Sequence, residues 1–314
     1  MSASPAAPPL PERRGLADLP PDELGRDVLA AWDDFLELVT DPSTDLTRPS
    51  RLPGWTGADT CVHLGSWDDS HVLDALLASA RAGGVGREPH PDRENEALVA
   101  AHRGDGPEEV VAALVRARER LARFFASPDA VDLGRAPSRS AVGAMPVLSL
   151  VHAGCYELAV HALDLRPCGA PAPSERLLQR GLGGLIDVTG ALAARAGVEL
   201  VLTATTRNGG WRFDSGTRGW TTSRVPPGGF DGAGVTGAAA DLLDASAGRA
   251  HLAQMLVGRR VHVQHLGSWM RLAPLLEDVP GLPGGAALRN AVGGLHGVGA
   301  GVGRVLAHLP GRRR

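Results

Sequence analysis

Lysine is absent from this chain. All 32 basic residues are arginine, and isoleucine occurs once, at Ile186. Together with 41 glycines and 24 prolines, this bias reflects a GC-rich coding sequence and gives no case for an arginine-specific binding surface. An excess of either charge is also lacking, with 32 basic residues against 35 acidic. A net charge of -3 gives no electrostatic case for a nucleic-acid or membrane-surface partner. Cysteine is limited to Cys61, Cys155 and Cys168, an odd number with no CxxC pair, which argues against a disulfide framework and for a reducing, cytoplasmic setting. No apolar run reaches the ~18 residues that span a bilayer. The stretch Met1–Pro21 is rich in Pro and Ala and lacks a continuous apolar segment, so it reads as neither signal peptide nor anchor.

What is present is enough for two cores, since 314 residues exceed one typical domain. Residues 1–20 are expected to form a disordered lead. A helix then starts at Pro20-Pro21-Asp22-Glu23, with Leu29, Trp32, Phe35, Leu36 and Val39 as its buried stripe. The turn Pro49-Ser50-Arg51-Leu52-Pro53-Gly54-Trp55-Thr56 places Thr56 to cap a second helix. That helix carries Cys61, Val62, His63, Leu64, Trp67, Val72 and Leu73 and ends near Gly83-Gly84. A charged, mobile connection from about Arg87 to Gly106 leads to a third helix opening at Pro107-Glu108-Glu109. The fourth helix is expected from about Ala144. Four such stripes make an antiparallel bundle whose core can host a metal.

The fourth helix holds the chemistry. Glu157 and His161 stand at i and i+4, about 40° apart around the axis and about 6 Å along it. On that spacing alone, the plainer reading is a hydrogen-bonded polar pair. A third ligand from elsewhere reverses the preference, and His63, inside an apolar helix, is the nominee. His71 lies about 12 Å further along its helix, and His152 points to another side of the fourth helix. Cys155, roughly opposite Glu157, reads as a small core residue. Three protein ligands leave a fourth position for water or substrate, as in catalytic zinc sites.

The pentapeptide Leu52-Pro53-Gly54-Trp55-Thr56 ahead of His63, followed by Glu157-Leu158-Ala159-Val160-His161-Ala162-Leu163-Asp164-Leu165, resembles the mycothiol-dependent maleylpyruvate isomerase family. The resemblance implies a DinB-like metal-binding four-helix bundle over residues 21–170. A smaller α+β domain similar to sterol carrier proteins would follow over 171–278. It also implies that His63, Glu157 and His161 hold a divalent metal, usually zinc, and that mycothiol is the cosubstrate. The expected activity is cis-trans isomerisation of an unsaturated acid such as maleylpyruvate, or thiol S-transfer to another electrophile. A non-catalytic ligand- or lipid-binding or regulatory protein with a structural metal is the alternative.

The second half fits this layout. A helix over about 174–196 precedes a strand from Val198 to Thr205, with Gly209-Gly210 as a hairpin turn into Trp211-Arg212-Phe213. A strand-to-helix segment follows from Val235 to Leu243, and Val261-His262-Val263 reads as a last strand before a short helix through Leu275-Leu276. By resemblance Arg249 matches an arginine the family uses in activity; read by itself, it is a cation at a helix end. Asp59, one turn before His63, is open to two readings: an acceptor that orients the imidazole, or a first-turn acid favoured by the helix dipole. From about 279 the chain departs from the family pattern, and Gly281–Arg314 reads as a flexible Gly/Pro-rich extension.

Overall fold

The computed structural model describes residues 11–69, 72–86, 91–228 and 230–272. In chain order these form β1 (Arg13–Arg14), a 3-10 turn (Gly15–Asp18), α1 (Pro21–Val39), α2 (Gly57–Asp69), α3 (Val72–Arg81), α4 (Pro91–Ala101), α5 (Pro107–Phe125) and α6 (Pro128–Asp132). A hairpin of β2 (Pro137–Ser140) and β3 (Gly143–Pro146) leads into α7 (Val147–Asp164) and α8 (Glu175–Arg195). The remainder is β4 (Leu200–Thr206), β5 (Gly209–Gly216), β6 (Gly219–Val225), β7 (Ala233–Gly237), α9 (Ala239–Ser246), α10 (Leu252–Val257), β8 (Val261–Gln264) and α11 (Leu266–Met270). The fold class is the expected one, a helical bundle followed by a smaller α+β unit. Among the described residues no helix is long and apolar enough to cross a membrane. The Gly281–Arg314 extension and His71 lie outside the described residues.

Helix starts follow local chemistry. Pro21 opens α1 where its missing N–H costs nothing, with Asp22 and Glu23 at the positive end of the dipole. In α5, Pro107 does the same and the Glu109 carboxylate accepts from the Gly106 N–H at 3.3 Å. Ser174 caps α8, its Oγ accepting from the Leu177 N–H at 3.0 Å. By contrast, α7 is apolar nearly all round and is therefore buried, packed between α1 and α8.

Four expectations need correction. The fourth helix begins at Val147 and not near Ala144, because Ala144 pairs with Arg139 in the hairpin and Pro146 holds Met145 extended. The stretch expected as a mobile connection contains α4, which packs on α2 and buries Val99. Residues 11–20 are not a disordered lead. Arg13-Arg14 pairs in parallel with Gly219-Trp220, and Leu16 and Ala17 are buried. A two-residue strand is too short to show as a period in sequence. Finally, the β4–β5 hairpin turns at Arg207-Asn208, while Gly209 and Gly210 already pair with Thr206 and Thr205.

The mixed sheet runs β1-β6-β5-β4-β7-β8. Helix α8 lies across it and carries glycine on two sides. A Cβ at Gly183 would stand 2.7 Å from the Trp211 ring, and one at Gly181 would stand 2.4 Å from Ala159 Cβ on α7. Only bare backbone lets the helix seat against both neighbours at once. Asp187, fully buried on α8, accepts from the Leu16 N–H (2.9 Å), Trp220 Nε1 (2.9 Å) and Thr222 Oγ1 (2.7 Å), tying the N-terminal segment and β6 to the helix.

This clasp makes a prediction. Asp187→Ala strands three donors in the interior and should lower unfolding free energy by about 2–3 kcal/mol. Val131→Ala, at a residue 70% exposed, should stay within about 0.5 kcal/mol. Urea unfolding of the two variants checks this; equal midpoints would remove the structural role given to Asp187.

Candidate metal centre

The site begins in the turn before α2. The Ser50 N–H donates to Trp55 O (2.9 Å) and the Trp55 N–H to Leu52 O (3.1 Å), with Gly54 at φ +79° making the reversal that other residues resist. Thr56 and Asp59 then form a reciprocal cap: the Thr56 N–H and Oγ1 both donate to Asp59 Oδ2 at 2.8 Å, and the Asp59 N–H donates to Thr56 Oγ1 at 3.1 Å. Asp59 is thus occupied at the helix start, which favours the first-turn reading over orientation of His63. Two turns on, His63 projects towards α7, with the Trp55 ring tilted against it at 5.8 Å between centroids.

Helix α7 brings Glu157 and His161 to the same place. His63 Nε2 lies 3.6 Å and His161 Nε2 3.4 Å from the same oxygen, Glu157 Oε2. One ligand atom from each of the three residues falls within 4.8 Å of the others. A tetrahedral zinc with bonds of about 2.1 Å keeps its donors roughly 3.4 Å apart, so both measured spacings suit one small divalent ion. The Glu157 side chain is 47% exposed while that of His161 is 7% exposed, so the cluster opens towards solvent on the carboxylate side. A simple i,i+4 pair does not account for His63, which arrives from another helix.

His161 is oriented from behind. Its Nδ1 lies 3.0 Å from Asp164 Oδ2, so with Asp164 ionised Nδ1 carries the proton and Nε2 is left for the site. Burial pushes the His161 pKa down, but its contacts with Asp164 and Glu157 outweigh this and raise it to about 9. Burial likewise pushes Asp164 up, and the donors His161 and Arg249 bring it down to about 2. Glu157 is held well below the carboxylate range, burial being overcome by its contacts with His161 and His63. His63 Nδ1 is buried with no hydrogen-bond partner among the described residues.

Arg249 reaches this second layer and not the cluster itself. Its Nε sits 3.1 Å from Asp164 Oδ1, its Nη2 3.1 Å from Asp164 Oδ2, and its Nη1 donates to the Ala247 carbonyl. Arg51, to which the sequence reading gave no role, also donates to the Asp164 carboxylate and binds Asp244 with its outer nitrogens. Asp164 itself was given no role either, although its i+3 spacing from His161 was the available signal. His152 and Cys155 are buried elsewhere on α7, as expected from their angles. The remaining cysteines are free and buried, which keeps their thiols out of this chemistry.

Residues 26–166 match the sequence profile described as the mycothiol maleylpyruvate isomerase N-terminal domain. The matched span holds His63, Glu157, His161 and Asp164 and stops short of Arg249. Two solved structures are similar. The crystal structure of the mycothiol-dependent maleylpyruvate isomerase is 21% identical, covering 75% of this chain and 92% of that one at TM-score 0.47. That of a histidine-to-alanine mutant of the mycothiol-dependent maleylpyruvate isomerase is 20% identical with the same coverage, at TM-score 0.45. No curated protein matches the chain.

The protonated His161 of the metal-free chain gives a pH prediction. Zinc must displace that proton, so zinc binding at pH 7 should release about one proton from this residue. The release should fade as pH rises through 9, where His161 is already neutral. Calorimetry in buffers of different ionisation enthalpy measures the released proton. Release that stays flat from pH 7 to 10 would contradict His161 as a ligand.

Proposed function

We propose that the chain is a metal- and thiol-dependent enzyme that isomerises an unsaturated acid such as maleylpyruvate with mycothiol as cosubstrate. The observation that carries this reading is the meeting of His63, Glu157 and His161 at zinc-compatible spacing, in a cluster that opens to solvent, within the span that matches that profile. When bound, the metal supplies Lewis acidity that draws a thiol pKa from about 8.5 to below neutral, giving a thiolate nucleophile.

The chain's own groups do the rest. His63, Glu157 and His161 fix three positions and leave the solvent side for sulfur and substrate. Asp164 keeps the His161 proton on Nδ1, so that Nε2 stays a donor to the metal. Arg249, a quarter exposed, holds Asp164 and through it the His161 ring, while negative charge develops on the substrate oxygen as sulfur adds to the alkene. That charge is transient: rotation about the new single bond and loss of the thiolate restore the double bond in the trans form. In the S-transfer variant of the chemistry the sulfur stays on the product, and the same residues serve.

His63→Ala and His161→Ala should each remove the bound divalent ion, about one per chain in the unaltered protein, and lower turnover by at least ~100-fold with the helical signal kept. Metal analysis combined with a screen of mycothiol against unsaturated acids, read as isomerised acid and as thiol consumed, tests this. Isomerisation at constant thiol supports the isomerase, and stoichiometric thiol loss supports the transferase. Turnover that survives both substitutions would sink the metal-centred reading.

A further inference from the structure

Asp164 is the only carboxylate among the described residues that touches a member of the cluster from behind, and two arginines from distant parts of the chain converge on it. Arg51, in the turn ahead of α2, binds it twice: its backbone N–H donates to Asp164 O at 3.0 Å, and its Nε to Asp164 Oδ1 at 3.1 Å. The two outer nitrogens of the same guanidinium close on Asp244 of α9, Nη2 at 2.6 Å from Oδ1 and Nη1 at 3.0 Å from Oδ2. Arg249, just beyond α9, grips Asp164 from its other side. Tyr156, next to Glu157 on α7, meets Ser246 of α9 at 3.2 Å between hydroxyls.

Two carboxylates and two guanidiniums thus form a neutral, partly buried set joining three stretches of chain. The planar fork of Arg51 spans two acids at once, a geometry that a lysine ammonium cannot match. Its attachment also has a direction. The turn that carries Arg51 leads directly into the helix bearing His63, while Asp164 is three residues beyond His161. Whatever holds Arg51 on Asp164 therefore sets the distance between the two imidazole-bearing helices and the rotation of the His161 ring together.

We propose that Arg51 is a positioning residue, clamping α9 and the turn before α2 onto Asp164 so that His63 and His161 are held ready for the metal. This rests on the metal reading above and extends it to the α+β unit, whose Asp244 and Arg249 complete the clamp. Metal affinity at the N-terminal bundle is thereby coupled to the seating of α9.

The test measures zinc Kd by competition with a chromophoric chelator, and the absorption bands of the cobalt-loaded protein, on the full chain. Arg51→Met should weaken zinc binding by about 10- to 100-fold and alter the cobalt bands. Arg51→Lys, which can satisfy one acid but not both, should recover part of the loss. Asp244→Asn keeps Arg51 and the side-chain shape, so it serves if the methionine variant does not fold; it should weaken binding by at least ~3-fold. Arg118→Gln, which breaks a surface pair with Asp33, should leave the zinc Kd unchanged. If Arg51→Met and Asp244→Asn lower only the unfolding midpoint while Kd and cobalt bands match the unaltered chain, the clamp is structural and the inference falls. If the unaltered chain itself binds no divalent metal, the reading beneath it falls too.

Discussion

A single buried carboxylate organises the functional half of this molecule. Asp164 has no exposed side-chain surface, and removing a carboxylate from water costs several kcal/mol unless donors replace the lost hydration. Here they are His161 Nδ1, Arg249 Nε and Nη2, and Arg51 Nε, with the Arg51 N–H on the backbone carbonyl of the same residue. The two arginines come from stretches distant from α7 and from each other. An ion that must be satisfied from three directions makes those three parts meet in one arrangement, and the His63/Glu157/His161 cluster is the consequence on its solvent side.

The long helices supply the frame in which this can happen. Because α7 is apolar on almost every side, it can only be stable at the centre, with α1 against one flank and α8 against the other. Helix α8 in turn faces both α7 and the sheet, and its glycines at 181 and 183 remove the side chains that would hold those layers apart. Three of the buried polar residues on these helices answer to a partner or a site: Asp187 to the N-terminal segment and β6, Asp164 to the arginines, His161 to the cluster.

Parts of the architecture were readable in the primary structure, and others were not. Proline-acid starts and apolar stripes located α1, α5 and α8 to within a few residues, because capping and helical periodicity are local properties. The hairpin at 137–146 was missed because β2 is short and polar and the apolar run into the helix already starts in β3, so that only Pro146 marks where the helix can begin. Helix α4 was hidden by its polar composition, since α2 stabilises it and its own stripe does not. The strand at Arg13-Arg14 has no local signal at all; it exists because β6 offers an open edge. Among site residues, Glu157 and His161 declare themselves by spacing. Arg51 and Asp244 look like ordinary surface charges until they are seen on either side of one guanidinium.

The amino-acid order by itself determined the helices with strong apolar stripes and the i,i+4 pair on the fourth long helix. It also nominated a histidine within an apolar stretch as the partner of that pair. These depend on backbone periodicity and capping, which act over a few residues. Tertiary structure alone decided that His63 reaches Glu157, that Arg249 stands behind His161 and not in front of it, and that Arg51 ties α9 to the bundle. Those outcomes turn on interatomic distances between residues 85 to 193 positions apart, and such distances are set by packing and by the need to neutralise a buried charge.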